Sequence, residues 1–387
     1  MLATGRCLGL CSLLLIVNFS TFSSFSLNGF GVRPNCHQGI HASKMILHSP
    51  GKNLIQKLGK SSRTHSKLVH ASEGASASGT VGVEDTTVGG NILRSMYKFT
   101  RPHTIRGTIL ASCTGVARAL IEHPTQISLN LVPRAVLGLV ALLMGNAYIV
   151  GINQIFDVDV DKVNKPFLPI AAGELTKKQA WMLVAGCGLL GPLIAALNFG
   201  GLILGLYLFG LVIGTLYSVP PFQTKRFPII AGLTIACVRG FLLNFGVYYA
   251  VKQALNIPFQ WNASVIFLAR FMTVFAGVIA ITKDLPDVEG DRKYNINTLT
   301  VRKGVPAVAK LATGVLLANY ISAIVNGIVA PAQQFNKVVM VSGHALFSVW
   351  LIKLYKDLNA SSTTSVKKFY KGIWDLFYAE YCLYPFI

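Results

Sequence analysis

This sequence of 387 residues has few charged side chains, and acidic ones are the scarcest: Lys and Arg number 35, whereas Asp and Glu number 15. Charged residues make up 13% of the chain, about half the share that soluble domains carry. Apolar residues make up 52%, and the mean hydropathy is positive. A large soluble protein would need more polar side chains to cover its core, so an ordinary soluble fold is not expected.

Clustered cysteines are also lacking. The seven cysteines are scattered over positions 7, 11, 36, 113, 187, 237 and 382, and the one close pair lies near the N-terminus. None of these spacings is typical of a zinc site. The sequence therefore gives no sign of a disulfide framework or of thiol chemistry.

The first part of the chain has no acidic residue before Glu73. Residues 1–18 contain one arginine and then the apolar run LGLCSLLLIV, which has the length of a signal-peptide core and is too short to span a bilayer comfortably. The following stretch, rich in Ser, Lys, Arg and His, has the composition of a transit peptide. Residues 1–90 are predicted to be a bipartite presequence, which resembles the address of proteins in complex algal plastids. A plain secretory signal with a disordered tail is the alternative.

Long apolar stretches recur from about residue 104 onward, joined by short polar segments. Each is long enough to cross a hydrocarbon core of about 30 Å as a helix. Residues 91–387 are therefore predicted to form an all-α integral membrane domain. Its nine predicted transmembrane helices cover residues 104–122, 131–152, 178–198, 200–218, 227–251, 262–283, 304–326, 334–354 and 368–386.

The net charge of +20 could indicate nucleic-acid binding, but its distribution argues against that. With nine spans, 21 basic residues fall on the side where the odd-numbered spans begin, and 4 fall on the other side. This asymmetry is what the positive-inside rule requires. The basic side should face the cytosol or its equivalent, which in a plastid is the stroma. The lipid bilayer is the expected partner, and nucleic acid is not.

The acidic residues after residue 90 are concentrated in two short segments. The first, NQIFDVDVDKVNK, closes the second span, and the second, KDLPDVEGDRK, closes the sixth. Both segments fall on the basic side of the predicted topology, although about 120 residues separate them. Helical spacing of three or four residues puts the polar side chains of each segment on one face. The first set is Asn153, Asp157 and Asp161, and the second is Asp284, Asp287 and Asp291.

Carboxylates crowded at a membrane surface repel one another, so a cation is expected to bind them. Carboxylate oxygens suit Mg²⁺, which usually combines one or two protein carboxylates with phosphate oxygens and water. The basic residues beside the clusters would neutralise a diphosphate, and the apolar spans would hold an isoprenoid tail. These basic residues are Lys162, Lys165, Lys283, Arg292 and Lys293. A transporter is the competing class, but its acidic residues would be expected near the middle of the membrane.

At these two segments the sequence resembles the UbiA superfamily of intramembrane prenyltransferases. The similarity extends over about residues 94–387. Within the superfamily, RPHTIRGT, LPIAAGELT, VRGFLLNFGVYYA and ITKDLPDVEGDRK resemble the plastid homogentisate prenyltransferases, and most of all the branch that transfers solanesyl groups.

The resemblance implies nine helices around a central cavity and a magnesium-dependent site. It implies metal ligands at Asp157, Asp161, Asp284, Asp287 and Asp291, assisted by Asn153. It also implies that the loop after the fourth span, with Tyr217, Lys225 and Arg226, contacts the diphosphate. Arg101 matches a basic position of the family at the start of the first span and is expected to bind substrate.

The implied reaction is transfer of a polyprenyl group of the solanesyl type from its diphosphate to homogentisate, with decarboxylation, in plastoquinone biosynthesis. The implied location is a plastid membrane, with the aspartate segments facing the stroma. Phytyl transfer in tocopherol biosynthesis, or another phenolic acceptor, is the alternative.

Two arginines lie within predicted spans, where a charge is costly. Arg239 could hold the carboxylate of the acceptor, or it could pair with a buried partner such as Asn244. Arg270 lies where the solanesyl-type pattern has a small neutral residue, so it is expected to affect the shape of the cavity and the choice of acceptor.

Overall fold

The computed structural model describes residues 88–126 and 128–387, with side chains from Ile92 onward. The presequence predicted over residues 1–90 lies outside these residues, except that the first helix already begins at Val88. The division between presequence and membrane domain stays a prediction.

The described residues form an all-helical structure, as predicted. In order, the helices are α1 (Val88–Phe99), α2 (Pro102–Glu122), α3 (Leu131–Phe156), α4 (Val158–Asn164), α5 (Lys177–Asn198), α6 (Gly201–Ser218), α7 (Pro228–Ala254), α8 (Ala263–Thr282), α9 (Val288–Lys293), α10 (Leu299–Lys303), α11 (Val305–Val329), α12 (Lys337–Lys356) and α13 (Thr363–Leu383). Short 3₁₀ turns cover Pro124–Gln126, Thr224–Arg226 and Tyr384–Phe386.

Seven of these helices are long and apolar enough to cross a membrane: α3, α5, α6, α7, α8, α11 and α12. Each of the nine predicted spans coincides with one long helix, but α2 and α13 are more polar than the other seven. The prediction of an all-α membrane fold is confirmed, whereas the count of nine membrane crossings stays a prediction.

Helix ends differ from the prediction where a polar side chain caps the first turn. Ser362 accepts a hydrogen bond from the backbone N–H of Ser365, so α13 begins at Thr363 and not at residue 368. Asn336 accepts one from Val339, so α12 begins at Lys337 and not at residue 334. Hydropathy alone does not locate such caps, because it does not distinguish a polar side chain that caps a helix from any other polar side chain.

The core is built around α8, which has thirteen buried residues. It packs against α7, α11 and α13, and the largest hydrophobic cluster joins these helices with α12. Helices α5, α6 and α12 instead expose large apolar side chains such as Leu189, Leu197 and Leu346. Aliphatic surface facing outward is what a lipid surrounding requires.

Candidate active site

Both aspartate segments have the same local geometry. Asp157 stands at the N-cap of α4, directly after α3, and Asp287 stands at the N-cap of α9, shortly after α8. Their backbone angles are nearly equal, with φ and ψ of −107° and 14° at Asp157 and of −101° and 4° at Asp287. The N–H of Asp161 donates to the carbonyl of Asp157 at 2.8 Å, and the N–H of Asp291 to that of Asp287 at 3.0 Å. The expected spacing is therefore kept across a break in the helix, not along a continuing helix.

Helices α4 and α9 pack against each other, which brings the two segments together. The Asn164 side chain donates from Nδ2 to Oδ1 of Asp291 at 3.1 Å. The Lys165 ammonium contacts the Asp287 carboxylate. The approach is close at Gly290, where an added Cβ would lie 1.8 Å from Oδ1 of Asn164. Two segments about 120 residues apart thus form one cluster.

Polar residues from two other elements complete the first half of this cluster. Lys225, in the 3₁₀ turn after α6, contacts the Asp157 carboxylate. Asn153 donates from Nδ2 to Oδ2 of Asp157 at 2.7 Å. Arg101, at the start of α2, donates from Nη2 to Oδ1 of Asn153 at 2.8 Å, and the same nitrogen lies 3.9 Å from Oδ2 of Asp161. Three separate parts of the chain therefore meet at the first aspartates.

The second half contains a lysine held by an aromatic ring. Lys283 donates from Nζ to the Tyr217 hydroxyl at 2.8 Å and lies 5.5 Å from the centre of that ring. The same ammonium lies 3.5 Å from Oδ1 of Asp284. Tyr217 thus orients a positive charge beside the second aspartate segment.

The electrostatics favour a bound cation. Burial raises the pKa of the Asp161 and Asp284 carboxyls above the usual range, and burial together with the charges of Asp284 and Asp287 raises the pKa of Asp291 to about 6. Burial also lowers the pKa of Lys225. At neutral pH the ionised carboxylates are therefore poorly solvated and mutually repulsive, and a divalent cation would relieve both costs.

The carboxylate oxygens fit a hard cation such as Mg²⁺. Oδ2 of Asp161 is buried and accepts no hydrogen bond, which leaves it free to bind a metal. Among the described residues, no three His, Cys, Asp or Glu side chains lie close enough together to hold a metal by themselves. Lysines contact Asp157 and Asp287 instead. The assignment of these aspartates as magnesium ligands stays a prediction.

Two basic residues predicted to bind substrate lie outside the cluster. The Lys162 side chain is 57% exposed and lies 3.4 Å from Asp159, whose side chain is 80% exposed. Arg226 is also exposed. Both are adjacent in sequence to cluster residues. Nevertheless Lys162 on α4 and Arg226 in the 3₁₀ turn are exposed and do not join the cluster.

The two arginines within spans differ in their surroundings. Arg270 is exposed on the outer surface of α8, where it donates to Ser322 at 3.2 Å, so it does not shape the interior. Arg239 lies between helices. The Asn244 side chain donates to the backbone carbonyls of Arg239 and Gly240, so it is not a partner of the guanidinium.

Sequence reasoning missed Asn164 and Ser218. Asn164 follows Asp161 by three residues on α4, a spacing that could have placed it beside the first aspartates. It is Asn164 that links the two segments. Ser218, at the end of α6, lies 3.4 Å from Nδ2 of Asn153. No local pattern marks Ser218, since only the packing of α6 on α3 brings it there.

The model of the UbiA prenyltransferase family matches residues 110–379, which include every residue of both aspartate segments. The chain belongs to this family. The expectation of an enzyme that transfers prenyl groups is thereby confirmed.

Two curated UbiA relatives are similar over most of their length. A probable homogentisate phytyltransferase 2, chloroplastic, from Oryza sativa subsp. japonica is 54% identical over 295 residues, covering 76% of this chain and 78% of the relative. The homogentisate solanesyltransferase, chloroplastic, from Arabidopsis thaliana is 53% identical over 293 residues, covering 75% and 76%.

The fold is also that of solved UbiA proteins. The structure of a UbiA homolog from Archaeoglobus fulgidus bound to GPP and Mg²⁺ superposes with a TM-score of 0.53 and 17% identity, covering 76% of this chain and 98% of the homolog. At this level of identity the likeness concerns the fold alone.

Proposed function

We propose that this enzyme transfers a polyprenyl group of the solanesyl type from its diphosphate to homogentisate, with loss of the acceptor carboxylate. The observation that carries the proposal is the single cluster formed by two aspartate segments, in which Asn164 contacts Asp291 and Lys165 contacts Asp287. The names of the rice and Arabidopsis relatives support homogentisate as the acceptor.

In this proposal the aspartate segments hold the diphosphate through magnesium. The ligands would be Asp157, Asp161, Asp284, Asp287 and Asp291, with Asn153 assisting. Bound Mg²⁺ would neutralise the diphosphate and make it a better leaving group. The archaeal homolog of the same fold was solved with GPP and Mg²⁺, which supports this cofactor.

The basic residues of the cluster act on the same leaving group. Lys165, Lys225 and Arg101 lie against the aspartates and are within reach of a phosphate that approaches them. Lys283, oriented by Tyr217, adds a further positive charge. Together they would stabilise the negative charge that develops when the bond to the prenyl group breaks.

The chemistry then proceeds by ionisation and attack. The allylic C–O bond breaks, and both of its electrons leave with the diphosphate. A ring carbon of homogentisate bonds to the allylic carbon, and the hydrogen at that ring position leaves as a proton. The acetate side chain loses carbon dioxide and gains a proton to become a methyl group. Apolar surroundings would protect the cation from water.

We further propose that the protein resides in a plastid membrane, with the aspartate cluster facing the stroma. Both relatives are named as chloroplastic. The composition of residues 1–90 supports import through a bipartite presequence, and the concentration of basic residues on the cluster side supports the stromal orientation.

Phytyl transfer is the second candidate function. It is favoured by a specific observation, since the rice phytyltransferase relative is as similar to this chain as the Arabidopsis solanesyltransferase, at 54% against 53% identity. Membranes containing the enzyme should be incubated with homogentisate and either solanesyl or phytyl diphosphate, and the products identified by mass. Preference for the phytyl donor would contradict the solanesyl assignment.

The role of the cluster is tested by single substitutions. Asp157→Asn and Asp287→Asn should each lower magnesium-dependent prenyl transfer by about 100-fold or more, because the metal-bound leaving group loses a ligand. Asp159→Asn and Glu289→Gln are the matched controls, since both side chains are exposed in the same segments and should leave activity unchanged. Full activity of Asp157→Asn and Asp287→Asn, at equal protein amounts, would refute the assignment.

A further inference from the structure

Arg239 lies at an irregular part of α7. Residues Ala236–Leu242 form π-helical turns, an irregularity that often marks functional positions. The next residue, Gly240, faces α8 so closely that an added Cβ would lie 2.3 Å from Cα of Thr273. The Arg239 side chain points elsewhere, because its Nη1 lies 3.0 Å from a Cβ built on Gly107 of α2 and its guanidinium lies 5.5 Å from the centre of the Trp374 ring of α13.

The charge of Arg239 has no counter-ion among the described residues. In the part of the chain that the structure describes, no ion pair involves its guanidinium, and Nη1 is buried without a hydrogen-bond acceptor. By contrast, Arg118 near the C-terminal end of α2 and Lys252 near the C-terminal end of α7 both pair with Glu122. An unpaired guanidinium within a membrane-spanning helix is costly, so a bound anion would stabilise it.

The surroundings of the guanidinium are aromatic. Arg239 keeps part of its accessible surface although it lies between α2, α7 and α13. The His103 ring meets Trp374 edge-on, with 5.2 Å between ring centres. These rings offer a planar ligand the edge and face contacts that aromatic groups prefer.

Two helices connect the surroundings of Arg239 with the aspartate cluster, α2 and α13. Gly107 follows Arg101 by six residues on α2, which is about 9 Å along a helix. His103 lies between them, and the charges of both Arg101 and Arg239 act on its ring. On α13, Tyr370 precedes Trp374 by one turn and lies within electrostatic reach of Asp287 and Lys283. One aromatic ring with a short acidic arm could therefore reach from Arg239 toward a prenyl group held at the cluster.

We propose that Arg239 binds the carboxylate of the aromatic acceptor and so selects acidic aromatic substrates over neutral phenols. The inference rests on the proposed function, since it assigns the acceptor end of the same site. A guanidinium suits this task because it presents two parallel N–H donors to a carboxylate. Arg239 is thus a specificity residue distinct from those that handle the diphosphate.

The test compares an acidic acceptor with its uncharged ester in the full-length enzyme. Arg239→Met should raise the KM for homogentisate by about 10- to 100-fold, whereas the KM for homogentisate methyl ester and that for the prenyl diphosphate should not change. Arg239→Lys should lie between wild type and Arg239→Met. Arg270→Met is the matched control, because it removes the other arginine within a span and should change no KM.

Binding provides a second readout that does not depend on turnover. At equal concentration, homogentisate should raise the Tm of the purified wild-type enzyme and of Arg270→Met by more than its methyl ester does, whereas in Arg239→Met the acid should lose this advantage. An equal loss for acid and ester, or an unchanged KM for the acid, would overturn the inference. If Arg239→Met does not fold, Arg239→Lys decides by the same acid-to-ester comparison.

Failure of the inference can be told apart from failure of the proposed function. If the wild-type enzyme does not use homogentisate, the proposed function fails, and the comparison is repeated with 4-hydroxybenzoate and its methyl ester. If the wild-type enzyme uses homogentisate and Arg239→Met uses it equally well, the proposed function stands and the role of Arg239 is refuted.

Discussion

Two lysines lie at the centre of the cluster, and they contact aspartates from the two different segments. Lys225 contacts Asp157, and Lys165, although it follows the first segment, contacts Asp287 of the second. Lys165 therefore acts across the two halves, whereas its neighbour Lys162 faces solvent. In the sequence, Lys162 and Lys165 both lie beside the first aspartates. Only the structure distinguishes them, because Lys162 lies within α4 and Lys165 directly after it.

Loss of Lys165 should weaken donor binding specifically. We expect Lys165→Met to raise the KM for the prenyl diphosphate by about 10- to 100-fold, because a charge-assisted contact is lost and Asp287 is left without its partner. Lys165→Arg should restore part of the loss. The measurement is steady-state kinetics at saturating acceptor, with Lys178→Met as the control, since Lys178 is exposed at the start of α5. An unchanged donor KM would contradict this role.

At the level of elements, the same arrangement of a long helix followed by a short one occurs at both aspartate segments. A long helix, α3 or α8, ends, and a short helix, α4 or α9, begins at an aspartate with nearly the same backbone angles. The short helices then pack on each other through Gly290 and Asn164. The spacing of the aspartates was readable from the sequence, because a four-residue interval survives the break. The break was marked only in the second segment, where Pro286 directly precedes Asp287; no proline precedes Asp157 in the first.

Helix α7 should be sensitive to a single methyl group at Gly240. We expect Gly240→Ala to destabilise the protein by about 1–3 kcal/mol or more, because its Cβ would lie 2.3 Å from Cα of Thr273, and backbone cannot move aside as a flexible side chain can. Thermal unfolding in detergent measures the effect. Gly246→Ala, in the same helix, is the control: nothing lies within 4 Å of its added Cβ, so its Tm should not fall. Equal Tm values for the two variants would show that α7 and α8 do not pack this closely.

On the scale of the whole molecule, charge is divided between the two ends of the bundle. The cluster end carries the aspartates and most of the basic residues. At the other end, Arg118 and Lys252 share Glu122, and the Tyr248 hydroxyl contacts the same carboxylate. Positive charge is thus concentrated at one end, while at the other end two of the few basic residues are paired with Glu122.

This division predicts the orientation in the membrane. Helix α3 has 26 residues, so its ends lie about 39 Å apart. In a variant whose native cysteines are replaced by serine, Asp159→Cys and Glu289→Cys should react with a membrane-impermeant maleimide from the same side of sealed vesicles. Asn130→Cys should react only from the other side. Labelling of all three from one side would contradict the topology.

By itself, the sequence determined the membrane fold, the positions of the long helices and the two aspartate segments. These features are local, because apolar runs, residue spacing and charge bias can each be recognised from neighbouring residues in the sequence. Tertiary structure alone decided which side chains meet. These are the contacts of Asn164 with Asp291 and of Lys165 with Asp287, the exposure of Lys162, and the position of Arg239 against Gly107 and Trp374. Such contacts depend on how helices distant in sequence pack and rotate, and the direction of a single side chain at a helix end follows from that packing, not from local pattern.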